Sequence, residues 1–323
     1  MAKPRGQGAD VIQLIAREAI YGTAPANNWW RFPMRSDDVG GSQELEDDPV
    51  WNTGNADDGD PAEGAFNVAG DLVVPMDARG LGYFMQMCLG ASAVVETTPD
   101  VLWTHTWKSG GELFSYSKQV WHPLLSTPKG KTQTGIKAGG FSFPMARNGR
   151  ALLTIPMIAQ GEVKDGAVRD ASPDVYEYLP FDNATGNVKV DGVVLANLTG
   201  LQFNFTNNLE TVEEIREDMK IAGADETRRQ ASGTANLRFS ADETVDDLVD
   251  GKTPCALEFS FKIRSQPTWV FKVTLHRVFF SRTKVAVSGP GGIEQATSFR
   301  AARDATAGCM MTVTLANDVE AYV

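Results

Sequence analysis

The stretch ALLTIPMIAQG, Ala151 to Gly161, has nearly the same pattern as CMMTVTLANDV, Cys309 to Val319, about half the chain away. Such self-similarity limits the folds open to a chain, because a repeated sequence builds a repeated unit. Four pairs of segments match in the same order. RFPMRSDD from Arg31 resembles QFNFTNN from Gln202, with Phe32 over Phe203. GDLVVPMD, ending at Asp77, resembles ANLRFSAD, ending at Asp242. FSYSKQV from Phe114 resembles WVFKVTL from Trp269, and LLTIPM from Leu152 resembles MMTVTL from Met310. The spacing between partners drifts only in segments that read as loops, where insertions are tolerated.

Within each copy the hydrophobic period is mostly two. In CALEFSFKIR, Leu257, Phe259, Phe261 and Ile263 fall on one face, with Glu258, Ser260, Lys262 and Arg264 on the other. This alternation marks an antiparallel strand with one dry face. One helix interrupts each copy. Asp77 can cap ARGLGYFMQMCLG, whose Leu81, Phe84, Met85, Cys88 and Leu89 share a helical face, with Gly90 at the C-terminal end. In the second copy Asp242 precedes ETVDDLVDG, with Val245, Leu248 and Val249 inward and Gly251 at the end. The expected fold class is therefore mainly β with one flanking helix per copy (α+β), two tandem β-sandwich or barrel domains. Their expected spans are 1–165 and 166–323, joined by a polar, turn-rich linker at about 164–187.

The chain of 323 residues carries a net charge of −11, shared between the halves: 19 acids and 14 bases before residue 166, 22 and 16 after it. Neither half gathers the clustered Lys and Arg that grip phosphate. Three scattered cysteines, Cys88, Cys255 and Cys309, fit neither a disulfide scaffold nor a thiolate zinc site. No window approaches a membrane span. Only three histidines, His105, His122 and His276, are present, and no nucleophile elbow, zinc-protease or phosphate-loop motif occurs. These features point away from an enzyme, from a cofactor and from a metal site.

The segment from Ser36 to Gly64 reads as a long loop that contains ten acids and no base. Loops of that length are usually functional or disordered. A contact arm to another subunit is the functional reading, carried by Asp37, Asp38, Glu44, Glu46, Asp47, Asp48, Asp57 and Asp58.

The opening VIQLIAREAIYGTAPANNWWRFPMRSDD, the acidic loop and GDLVVPMDARGLGYFMQMCLG together resemble the major tail tube proteins of long-tailed, siphovirus-like bacteriophages. The closer likeness is to the class in which the tube fold occurs twice. That resemblance implies two tail-tube-like domains in a structural protein whose rings stack into a hollow tube that conducts DNA. Six copies of the fold make a ring in that family, so three chains of this kind would close one with pseudo-sixfold symmetry. The resemblance also implies further copies of the chain, a tape-measure protein, a tail terminator and a tail-tip protein as partners. It places the protein in the virion tail, assembled in the host cytoplasm, with DNA passing unbound and no membrane contact. By the same analogy the acidic loop contacts the adjacent stacked ring. An acidic inner wall would repel phosphate and let DNA slide, which makes the polar-face acid Glu258 a candidate to face the lumen. Three alternatives stand beside it: a hexameric ring with the second half outside, a related ring of a tail or injection machine, and an unrelated two-domain β-rich binding or hydrolytic protein.

Overall fold

The computed structural model of the chain describes residues 4–47, 57, 59–240, 244–285, 287 and 289–322. The first strands are β1 (Ile12–Arg17), β2 (Trp30–Arg31), β3 (Ser36–Asp37), β4 (Gly40–Glu46) and β5 (Ala62–Pro75), followed by helix α1 (Leu81–Leu89). Then come β6 (Ala93–Thr98), β7 (Leu102–Lys108), β8 (Tyr116–His122), β9 (Lys129–Ala138), β10 (Gly140–Met145), β11 (Leu152–Ala159) and β12 (Gly161–Asp165). A connecting stretch holds β13 (Asp174–Val175), β14 (Asn187–Val190) and β15 (Val193–Val194). The remainder is β16 (Leu198–Thr206), β17 (Leu209–Val212), β18 (Gly223–Glu226), β19 (Gln230–Arg238), α2 (Thr244–Gly251), β20 (Cys255–Lys262), β21 (Val270–Phe280), β22 (Glu294–Ala301) and β23 (Met311–Asn317). The mainly β class is as the alternation implies.

Strand neighbours run in the same order in the two halves. In the first the antiparallel ladder is β1–β8–β9–β11–β5–β4. In the second it is β14–β20–β21–β22–β19–β16. A further strand flanks the start of the third member of each ladder, β12 on β9 and β23 on β21. Helices α1 and α2 follow β5 and β19. Only one of the four sequence matches agrees with this order, GDLVVPMD in β5 with ANLRFSAD, which begins in β19. RFPMRSDD covers β2 and β3, whereas QFNFTNN lies in β16, whose place in the first half is held by β4. FSYSKQV lies in β8, whose place is held in the second half by β20, not by the β21 of WVFKVTL. LLTIPM lies in β11, whose place is held by β22, not by the β23 of MMTVTL. Alternating apolar strands look alike, and only their neighbours tell them apart.

One continuous core spans both halves, from Ile15 and Leu72 to Phe259 and Leu315. It is continuous because β10 pairs with β16 along its whole length, Gly140 opposite Thr206 through Met145 opposite Leu201. The same junction brings Phe143 to 5.2 Å from Phe203 and 6.1 Å from Phe259. The chain turns the corner from β9 into β10 at Gly139 and Gly140. Gly140 has φ +143, and a Cβ there would lie 2.0 Å from the carbonyl oxygen of Phe205. Pro156 sits where β11 exchanges β10 for β9 as its second neighbour, a bend that tolerates proline.

Helix α1 differs from the amphipathic flank read from its spacing. Asp77 does anchor its start, accepting from the Gly80 N–H at 2.7 Å, and Gly90 closes it with φ +83. Leu81, Phe84, Met85 and Leu89 are buried as expected, but so is every other residue of the helix. The second face is covered by the C-terminal segment: Tyr322 packs against Gly82, and its hydroxyl donates to the Arg79 carbonyl at 2.8 Å. Arg79 in turn grips Asp318 with two hydrogen bonds of 2.8 Å. A Cβ on Gly82 would fall 2.0 Å from the Tyr322 ring. Gly82→Ala should therefore lower stability by about 1–3 kcal/mol through overpacking, read by urea unfolding, despite alanine's better helix propensity. In α2 Val245 is buried and Leu248 and Val249 pack against the core; Asp242 lies outside the described residues.

The linker also packs down more than its polarity implies. Phe181 is fully buried, Tyr176 stacks on Trp30 at 4.4 Å, and the Leu179 N–H donates to Asp77 at 2.6 Å. His105, on β7, is enclosed as well, its Nε2 2.7 Å from the Val319 carbonyl. Burial pushes its pKa below the ordinary 6.5, with the Val319 carbonyl pulling the other way. The unfolded chain therefore binds a proton that the folded chain refuses. The His105 contribution to stability is complete above pH 6.5 and declines as pH falls below it. His105→Gln should flatten that acid limb in a pH series of denaturation midpoints.

Candidate assembly surface

One ladder passes through both halves: β4–β5–β11–β10–β16–β19–β22, ending on the last residues of β21. Its inward residues, among them Leu72, Ile155, Phe143, Phe203 and Phe299, join the core. The outward face follows from register. Ser142 lies beside Thr154 and Asn204, Asn204 beside Ser232, and Gln202 beside Pro144 and Thr234. Thr234 lies beside Ser298. The middle of this face is a band of hydroxyls, amides and prolines. Charge returns at the margins, with Asp71 on β5, and Arg238, Glu294 and Arg300 on β19 and β22.

Both ends of this ladder are open among the described residues. At one end no strand lies outside β4, although Glu162 covers the Gly41 N–H at 3.2 Å. Burial works against the Glu162 charge, yet hydrogen bonds from Lys131, Gln133 and Gly41 hold its carboxyl below the usual range. At the other end, Val278–Phe280 pair with β22 and the chain runs on through Ser281, Arg282, Thr283, Lys284 and Val285. In the first half the equivalent continuation of β9 is β10, which pairs with β16. In the second half Thr283–Val285 have no such strand beside them. Unpaired sheet edges template association.

Two hairpins rise from one rim of the ladder. Strands β17 and β18 form an arm between β16 and β19. The arm folds over the rim of the first half: the Phe66 N–H donates to the Met219 carbonyl at 3.1 Å, and Gln160 reaches the Ala222 carbonyl at 3.4 Å. Lys220 lies against Gly161, and Glu226 is 3.8 Å from Lys137. The equivalent hairpin of the first half is β4 with the start of β5, where Glu44, Leu45, Glu46, Asp47 and Glu63 are exposed.

This corrects the reading of residues 36–64 as one loop. The segment carries β3, β4 and the start of β5; the alternation is hidden by glycines and acids, which are poor strand formers in isolation. Its acids also separate into different roles. Asp37 is not a free loop acid: both its oxygens receive Lys118 Nζ at 2.6 Å, and Gln13 donates to it as well. The Lys118 side chain is wholly buried and that of Asp37 is 9% exposed. Burial pushes the Lys118 amine down, and Asp37 opposes that. Asp38 is turned back on its own sheet, accepting from the Asp71 N–H. Glu44, Glu46, Asp47 and Asp57 are exposed, while Asp48 and Asp58 lie outside the described residues.

Glu258, the candidate lumen residue, is not an isolated acid. It projects from the outer face of β20, away from the shared ladder, with Lys189 at 3.7 Å and Lys272 at 3.6 Å. It is the one acid between two lysines.

Residues 8–301 match the sequence profile of the phage tail tube protein family. The chain belongs to that family. It is a structural protein of the tail tube and a component of the virion tail. No curated relative matches the sequence. Among the described residues of this tail tube protein no helix is long and apolar enough to cross a membrane. Sequence reasoning missed the shared ladder and its open ends, although the glycine pair before FSFPM, at Gly139 and Gly140, marks the corner that creates β10.

Proposed function

We propose that this chain is a duplicated tube module, with tail-tube-like units at about 1–165 and 166–323, and that three chains close a ring with pseudo-sixfold symmetry. The observation that carries this is the repeated ladder order. One junction between equivalent strands, β10 with β16, is already made inside the chain, and its counterpart is left open at both outer ends. In this reading the segment Ser281–Val285 of one chain pairs with β4 of the next, as β10 pairs with β16. Closure would satisfy every edge of the shared ladder, as barrels do.

Rings stacked into a tube would then carry DNA along the outward face of that ladder, inside the closed annulus. Its band of Ser, Thr, Asn and Gln supports a wall that lets a polyanion slide. Counterion release needs Lys and Arg, and the band has none. At the margins Asp71 and Glu294 are balanced by Arg238 and Arg300, so the wall carries little net charge. Other tail components would cap the tube and fill it during assembly in the host cytoplasm. Electron microscopy of purified protein tests the proposal: rings with six lobes and an open centre support it, and solid particles or monomers overturn it. Duplex DNA should bind no more tightly than to a neutral surface at low salt, checked by fluorescence anisotropy.

A further inference from the structure

Four arginines line a groove at the rim of the second half: Arg228 and Arg229 just before β19, Arg300 on β22, and Arg303 just beyond it. Phe279 and Ala302 contribute apolar floor. None of the four forms an ion pair with a described carboxylate; Arg229 donates to the Gly111 carbonyl and Arg303 to that of Gly308. In a chain with an excess of acids, an unneutralised arginine cluster over an apolar floor calls for an acidic occupant with an apolar anchor.

We infer that the occupant is the acidic hairpin of the next chain in the same ring, β4 with the start of β5. The intrachain arm shows where an equivalent hairpin goes. Gln160 and Gly161, which follow β11, receive the arm of the second half at Ala222 and Lys220. The residues that hold the same place after β22 are Ala302 and Arg303, and both line the groove. The hairpin is complementary to it, with Glu44, Glu46, Asp47 and Glu63 exposed and Leu45 67% exposed at its centre. The first-half rim, by contrast, meets an arm of mixed charge with Arg216 and Lys220 among its acids. The two hairpins thus differ because their seats differ. The acidic contact is therefore lateral and not between stacked rings. This inference rests on the ring proposed above.

The test joins Leu45→Cys to Ala302→Cys in the full chain, with Cys309→Ser because Cys309 also lines the groove. Assembled protein is treated with a short bis-maleimide and run on a denaturing gel. The expected result is a covalent ladder that stops at three chains. A ladder stopping at six keeps the lateral seat but refutes the three-chain ring. An open-ended ladder, or no cross-link in particles that still form rings, overturns the seat. As a second arm, Arg300→Glu with Arg303→Glu should reduce the ring fraction at least about tenfold, leaving single chains. Adding Glu44→Arg with Glu46→Arg should restore it. Isolated intact rings that fail to stack would instead overturn the lateral seat.

Discussion

Asp37→Ala is expected to lower the stability of the unassembled chain by about 3–5 kcal/mol, a large share of the roughly 5–15 kcal/mol that holds a typical protein folded. The substitution leaves the Lys118 ammonium fully buried with its carboxylate gone. Gln13 can turn its amide oxygen toward the amine but brings no charge to neutralise it. Glu162 and Asp38 pull on the same amine from farther away and soften the loss only in part. Replacing both partners, Asp37→Ala with Lys118→Met, should recover most of the stability, because an apolar pair asks for no solvation. Urea midpoints of the original chain and the two variants decide it. Equal destabilisation by the single and double changes would show that the pair is not what holds β3 to β8.

Proline at Thr283 and Lys284 together should abolish ring formation while leaving the single chain within about 0.5 kcal/mol of the original. Backbone N–H groups of a strand point to alternate sides, so two consecutive prolines remove a donor of each parity. Neither residue belongs to a strand of the isolated chain, so the fold has little to lose. The same pair placed in β10 would break its pairing with β16 and destabilise the monomer itself. Sedimentation separates rings from single chains, and rings that persist at normal yield would remove the proposed edge.

Much of this architecture is legible from local chemistry. The alternation in 255–263 places Leu257, Phe259, Phe261 and Ile263 inward, and all four are buried. Asp77 and Gly90 frame α1 because cap and left-handed turn are local events. What depends on distant partners is not legible. Asp37 reads as one acid among ten until β3 meets β8 and sets it against Lys118, 81 positions away. Glu258 reads as a bare acid until β14 and β21 bring lysines to both its sides. The three mismatched repeat pairs have the same origin. A strand's period says which face is dry, whereas its neighbours are chosen by the whole sheet.

In the proposed ring the inner joint of each chain, β10 with β16, is already made, and its outer edges pair with those of its neighbours. Native mass spectrometry of single rings, freed from tubes by mild dissociation, counts the chains directly. Three chains, with six lobes in projection, is the expected result; six chains around the same opening would contradict it.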